Sequence, residues 1–350
     1  MAHMPKPVND SYPYGPTYNY SYLLPFESPL SCVALTLHIQ EYWRLVPVPL
    51  CVGYVLVIFS LRRFMRDKEP LTWLKHPLIG WNFFWAVFSL LGVVRMLPDL
   101  LFVLYHFGWA ESVCISSFVS TKVGCSWSII FAWSKVFELG DTLFIVLRKR
   151  PLTFLHWYHH VSVLLYTWHS CTEHTAGGRW FMTMNLGVHA FMYTYYLCSS
   201  LGIRFPRWVP MTVTYLQLSQ MVMGCLVTAS AYWIKSRGGL CYQSFENLYF
   251  CALIYCSYFA LFLHFFYSAY YRKGGKHRKS QLRAEELNGH AKERNGHAAP
   301  PGSREKNGSV PRGHDDDANN NSRHDEEEKP FTRRRLAKKT TVNGFANHMG

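Results

Sequence analysis

Between residues 44 and 271 of this 350-residue chain lie repeated runs of about 20 mostly apolar residues. Each is long enough to cross roughly 30 Å of hydrocarbon as a helix. In lipid, backbone polar groups must be satisfied within the segment or in a closed barrel. Seven spans are predicted, at 44–62, 78–104, 126–147, 154–172, 180–201, 209–234 and 245–271. The expected fold class is therefore all-α integral membrane, with a kink at Pro98 in the second span. A mean hydropathy near zero hides this, because the flanks are polar. Residues 1–40 form a polar N-terminal segment, 41–272 the helical body, and 273–350 a tail. The tail's Asp-Asp-Asp, Asn-Asn-Asn, Glu-Glu-Glu and Arg-Arg-Arg runs bury no core, so it is predicted disordered. The N-terminus has no cleavable signal pattern, so the first span is expected to act as an uncleaved anchor.

Seven spans put the termini on opposite sides. One side collects fifteen basic residues: Arg62, Arg63, Arg66, Lys68, Lys75, Arg148, Lys149, Arg150, Arg204, Arg207, Arg272, Lys273, Lys276, Arg278 and Lys279. The other has four, Lys122, Arg179, Lys235 and Arg237. Positive charge stays cytosolic, so a lumenal N-terminus and a cytosolic tail are expected. The net charge of +14 is read as orientation and as attraction for anionic substrates, not as nucleic-acid binding. Asn9 and Asn19 head lumenal glycosylation sequons, whereas Asn307 and Asn320 fall on the cytosolic side. The ten cysteines make no CxxC spacing. Cys114 and Cys241 fall in lumenal loops, where an oxidising compartment favours a disulfide between them.

Ionisable groups inside a span cost on the order of 2.5–3.5 kcal/mol each. Four polar groups stand out. In Lys135-Val-Phe-Glu138-Leu-Gly-Asp141-Thr142, the three charged residues share a helical face. In His156-Trp-Tyr-His159-His160, three imidazoles occupy i, i+3 and i+4. Asn185, His189, Tyr193 and Tyr196 form a polar stripe on the fifth span, and Thr214, Gln217 and Gln220 another on the sixth. Each has a plainer reading: an ion pair that lets a helix insert, core histidines, aromatic packing, or interhelical hydrogen bonds. The histidines admit two chemical readings. Neutral imidazoles ligate iron or zinc, and an imidazole is also a nucleophile and general base near neutral pH. Membrane di-iron desaturases carry several histidine boxes. This chain has one, and His169, His174, His189 and His264 make no second HxxHH. A metal is therefore disfavoured.

Together these groups resemble the very-long-chain fatty acid elongase family. The match runs over roughly residues 30–275, with KxxELxDT at 135–142, HxxHH at 156–160, HxxMYxYY at 189–196 and TxxQxxQ at 214–220. His-Trp-Tyr-His-His, the Gly-Gly-Arg-Trp-Phe-Met-Thr-Met-Asn run and Ser-Val-Cys114 look most like the branch that extends saturated and monounsaturated chains. The resemblance implies a seven-helix bundle in which six helices enclose an acyl tunnel with a cytosolic mouth. It also implies the condensing step of elongation in the endoplasmic reticulum. A long-chain acyl-CoA and malonyl-CoA would give 3-oxoacyl-CoA, CO2 and CoA, with no cofactor. From the family pattern, His159 and His189 would be the nucleophilic or acyl-carrying pair. His156, His160 or Asn185 would position the malonyl group or its enolate. Glu138 and Asp141 would fix histidine tautomers, with Lys135, Tyr193, Tyr196, Gln217 and Gln220 in support. Arg148, Lys149, Arg150, Arg204, Arg207, Arg272 and Lys273 are candidates for CoA phosphates. Trp168, Tyr232 and Trp233 are candidates for closing the tunnel. Expected partners are membrane lipids and the 3-oxoacyl-CoA reductase, 3-hydroxyacyl-CoA dehydratase and enoyl-CoA reductase of the cycle, and a homo-oligomer is compatible. The chain ends Asn-His-Met-Gly, without a dilysine retrieval signal. The competing classes are a metal-dependent lipid desaturase or hydroxylase and a non-enzymatic seven-helix receptor or transporter.

Overall fold

A computed structural model describes residue 15, residues 17–27 and residues 32–272, with the side chains of 32–36 and 270–272 left aside. The predicted tail at 273–350 lies outside these residues. Every regular element among the described residues is a helix, and none is a strand. A short helix α1 (Cys32–Tyr42), which the sequence reading did not foresee, precedes α2 (Pro47–Phe64) and the long α3 (Lys75–Cys114). There follow α4 (Lys122–Phe137), α5 (Gly140–Leu147), α6 (Phe154–Thr172), α7 (Gly178–Leu201), α8 (Trp208–Ser236) and α9 (Phe245–Phe266), which runs into a π turn at Tyr267–Arg272.

The ends of these helices are set by local chemistry. Pro47 opens α2, where a missing N–H costs nothing. Thr121, Thr153 and Ser244 cap α4, α6 and α9 by accepting the Gly124, His156 and Asn247 amides at 2.9, 3.3 and 3.0 Å. The dihedral break in α3 falls at Gly108 and not at the expected Pro98. Gly108 has φ +88°, a region that favours a residue without a Cβ. The predicted span 126–147 is two helices rather than one. Between them Leu139, Asp141 and Thr142 each donate to the carbonyl three residues back, at 3.1–3.3 Å. Such a 3₁₀ turn brings residues three apart directly above one another.

Three stretches, Pro47–Asp67, Thr72–Cys114 and Phe245–Ala269, are long and apolar enough to cross a membrane by length and composition. Of the rest, α6, α7 and α8 carry the histidines and the Gln and Thr stripe, which interrupt their apolar runs, and α4 and α5, which bear the charged triplet at their junction, are only 16 and 8 residues long. α3 lies along α7 over the most extensive interface, and α8 packs on α9. That second contact is close because Gly224 faces the Tyr255 ring, which any Cβ at this position would overlap.

Two ends of the bundle are distinguishable. At one, Cys114 and Cys241 are joined by a disulfide, and the loops around it are knitted by Tyr242 N–H to Cys114 O (2.9 Å) and Ala176 N–H to Tyr242 O (3.0 Å). Arg179, counted above as a loop cation, is buried here instead and bonds Asp99 at 2.7 Å. Asn19 is exposed at this end, while Asn9 lies outside the described residues. At the other, basic end, Leu71 N–H donates to Leu147 O at 3.1 Å, and Lys149 Nζ donates to the Arg66 and Lys68 carbonyls, both at 2.8 Å.

Candidate active site

Twelve residues were picked out as catalytic or supporting. Eleven of them line one chamber between α3, α4–α5, α6, α7 and α8: Glu138, Asp141, His156, His159, His160, Asn185, His189, Tyr193, Tyr196, Gln217 and Gln220. Its cavity volume is about 80 Å³, and the chamber is partly open. The twelfth, Lys135, sits behind the wall. It is 1% exposed and bonds Glu138 Oε1 and Asn185 Oδ1, both at 2.7 Å. One ammonium thus ties the charged triplet to the polar stripe of α7.

The histidines are held differently. His156 Nε2 and Thr142 Oγ1 are 2.8 Å apart, and Thr142 also meets the Tyr54 hydroxyl at 2.7 Å. His160 packs against His156 with ring centroids 4.5 Å apart, and its Nδ1 has no hydrogen-bond partner. His159 lies edge-on to His160 and 4.9 Å from the Tyr258 ring. His189, from α7, sits with Nδ1 3.9 Å from Glu138 Oε1 and its ring 5.5 Å from that of Tyr193. Glu138 also accepts from Ser134 Oγ at 3.3 Å, while its Oε2 has no partner.

Asp141 differs from expectation. Its oxygens accept from Trp81 Nε1 at 2.5 Å and Tyr193 O–H at 2.7 Å, so it positions an indole and a phenol rather than a histidine. Trp81 lies over Gly140, where a Cβ would come within 2.9 Å of the ring. Trp81, Thr142, Tyr54 and Tyr258 were not singled out from sequence. Only Thr142 carried a signal, as the last letter of its motif. Gln217 Nε2 reaches Met192 Sδ at 3.5 Å, and its Oε1 has no partner. Among the described residues no group of three or more His, Cys, Asp and Glu has the arrangement to hold a metal ion.

The basic residues do not line this chamber. Lys149 and Arg150 border a separate depression with Arg62, Arg63 and Arg66. Burial, with Arg150 beside it, pushes the Arg148 guanidinium below its usual pKa. Arg204 and Arg207 are exposed just before α8. The Arg272 side chain and Lys273 lie outside the described residues. Of the residues expected to close a tunnel, Trp168 is fully buried against Ala132 O (3.0 Å), and Tyr232 and Trp233 are exposed. None of the three borders either of the two chambers inside the bundle. The second chamber lies toward the disulfide end. Its walls include Phe118, Phe131, Tyr166, Ser170, Phe181 and Met182.

The fold and chamber define a multi-pass helical membrane protein with histidines from two helices gathered around one buried polar cavity. The chain belongs to the ELO: GNS1/SUR4 family, whose sequence model matches residues 39–278. It is 47% identical over 271 residues to putative fatty acid elongase 3 of Caenorhabditis elegans, covering 76% of this chain and 84% of that protein. It is 43% identical to very long chain fatty acid elongase 6 of Drosophila melanogaster, covering 77% and 85%. With very long chain fatty acid elongase 3 of Mus musculus the identity is 42%, over 68% and 87%.

Proposed function

We propose that this chain is the condensing enzyme of fatty acid elongation, a 3-oxoacyl-CoA synthase that joins a long-chain acyl-CoA to malonyl-CoA. The observation that carries the reading is that His159 of α6 and His189 of α7 border one buried chamber with Glu138, Asn185 and two further histidines. A thioester is an activated acyl donor. A neutral ring nitrogen of His159 or His189 attacks its carbonyl, the C–S bond breaks, and CoA leaves as the thiol after taking the imidazole proton. Malonyl-CoA then loses CO2, and the electron pair of the broken C–C bond forms the enolate of acetyl-CoA. The enolate carbon attacks the acyl-imidazole, the C–N bond breaks, and the imidazole leaves with its electron pair and takes a proton from water, which restores the neutral ring. Asn185, His156 and His160 border the space where the enolate oxygen develops charge, and each can present an N–H to it. No metal enters the scheme.

One face of α7 supports a tunnel. Gly178, Phe181 and Met182 border the second chamber, and Asn185, Val188, His189, Met192, Tyr193 and Tyr196 border the first. The positions fall at 178, 181/182, 185, 188/189, 192/193 and 196, the i, i+3, i+4 repeat of one helical face, so a single stripe runs past both. From Gly178 to His189 it spans roughly 16 Å at 1.5 Å per residue. The second chamber would take the far end of the acyl chain. The basic end would face the cytosol, with Lys149 and Arg150 near the CoA phosphates. The disulfide end and Asn19 would face the lumen of the endoplasmic reticulum, and the product would pass to the reductase and dehydratase of the cycle. Elongase names among relatives 42–47% identical support the same reaction class.

The test is to incubate purified protein with acyl-CoAs and labelled malonyl-CoA. The expected product is a 3-oxoacyl-CoA two carbons longer than the donor. Acyl-CoA alone should add one acyl group to the intact protein mass. Malonyl-independent chemistry, or stoichiometric iron held by the His156–His160 box, would return the chain to the desaturase class. No product of either kind would favour a receptor or transporter.

A further inference from the structure

Part of the second chamber's lining is tied to a segment outside the helices. Residues 17–27 run as an irregular strap across the disulfide end, and the last of them, Glu27, is 0% exposed. Glu27 Oε1 accepts from Arg95 Nε at 2.9 Å and Trp127 Nε1 at 2.8 Å. Its Oε2 accepts from Arg95 Nη2 at 2.7 Å and the Leu24 amide at 2.8 Å. Arg95 also bonds Tyr22 O at 3.0 Å, and Tyr20 O–H returns to Arg95 O at 2.8 Å. Burying an ion pair costs several kcal/mol per charge unless its geometry and remaining hydrogen bonds are nearly complete. A loop carboxylate with four donors meets that condition.

The link to the chamber runs through Trp127. Its ring, 1% exposed, packs in one cluster with Met96, Phe118, Phe131 and Met182. Phe118, Phe131 and Met182 are also walls of the second chamber. Glu27 itself borders neither chamber. We propose that Glu27 is a specificity-positioning residue: by holding Trp127 and Arg95 it fixes the floor that Phe118, Phe131 and Met182 present to the second chamber, and so sets the longest acyl chain that binds. This rests on the reading of the two chambers as one acyl path.

The experiment uses the full chain as wild type, Glu27→Gln and Trp127→Phe. Glu27→Gln removes the charge and one acceptor, and Trp127→Phe removes only the indole donor. Two length profiles are measured with saturated acyl-CoAs lengthened two carbons at a time. One is thermal stabilisation by acyl-CoA alone; the other is malonyl-dependent elongation. Both variants should keep wild-type behaviour on the shorter chains and move the cut-off to longer ones. Discrimination per methylene in an apolar pocket is roughly tenfold or more, so the first chain beyond the wild-type limit, two methylenes longer, should improve on the order of a hundredfold. A cut-off that stays put or shortens in both variants, or a uniform loss at all lengths, overturns the proposal and leaves a structural clamp. If wild type binds acyl-CoAs with a length limit that the variants extend, yet condenses none, the floor stands and the condensing reading falls. If Glu27→Gln does not fold, Trp127→Phe decides alone.

Discussion

Two buried polar networks share this bundle and follow opposite rules. At the disulfide end, both oxygens of Glu27 have donors. Asp99 accepts from Arg179 at 2.7 Å and from the Tyr18 amide at 3.5 Å, and Arg179 also donates to Ser117 Oγ and Ile115 O. In the chamber, Lys135 satisfies Glu138 and Asn185, yet Glu138 Oε2, His160 Nδ1 and Gln217 Oε1 have no partner. A buried polar atom without a partner costs about 1–3 kcal/mol. Three around one cavity are a poor arrangement for stability and a sensible one for binding. Burial and charge alone do not distinguish the two networks, since Arg95, Asp99 and Arg179 are at least as buried as the histidines. Completeness does. The closed network has its bonds made, and the open one leaves bonds unmade around the cavity.

That contrast breaks most sharply at the histidines. His159→Ala and His189→Ala should each lower condensing turnover on the order of 10⁴-fold or more, the scale of losing a nucleophile or its partner. Expression and melting temperature should stay near wild type. Unimpaired turnover in either variant removes that histidine from the reaction. At the closed network the effect should be on stability instead. Arg179→Leu strands the Asp99 carboxylate, and breaking such a pair costs about 3–5 kcal/mol. Thermal unfolding in detergent should show it, and a wild-type melt would mean that this network is not what holds the end together. Smaller again is the double change Cys114→Ser with Cys241→Ser. The bridge closes a sequence separation of 127 residues, and its removal should cost about 2–4 kcal/mol, with little change in kcat for the molecules that remain folded.

The open network was the legible one. Its residues sit on helices, and helical spacing shows in sequence which of them share a face. His156, His159 and His160 could be placed together without coordinates, as could the α7 stripe. The closed network is carried by an irregular strap and by two arginines at positions without periodicity. Glu27 gives no pattern to read, and Arg179 looked like one more loop cation because it opens a helix. Local backbone was half legible: Pro98 advertises a break that Gly108 makes, and α3 keeps helical dihedrals through the proline where it lies along α7. The basic residues were ambiguous for a physical reason. Membrane topology and phosphate binding ask for the same charges at the same end, so composition cannot separate Lys149 and Arg150 from Arg62, Arg63 and Arg66. The three aromatics named as tunnel closers border neither chamber; Trp, Tyr and Phe also populate exposed faces and packed seams, where Trp233 and Trp168 are found.

Tyr193→Phe gives the finest test of the difference between holding and reacting. The phenol donates to Asp141 Oδ2 at 2.7 Å, and Trp81 holds the other oxygen. Losing one hydrogen bond to a charged group costs about 1.5–3 kcal/mol when nothing replaces it, but here the carboxylate borders the open chamber and water can take the vacated place. If Tyr193 only orients the wall beside His189, kcat should fall about tenfold or less, and KM for acyl-CoA should hardly move. The melting temperature should shift by far less than in Arg179→Leu. A fall as deep as that of His189→Ala would place the phenolic proton among the reacting groups. The Asp141–Tyr193 pair would then belong to the chemistry rather than to its support.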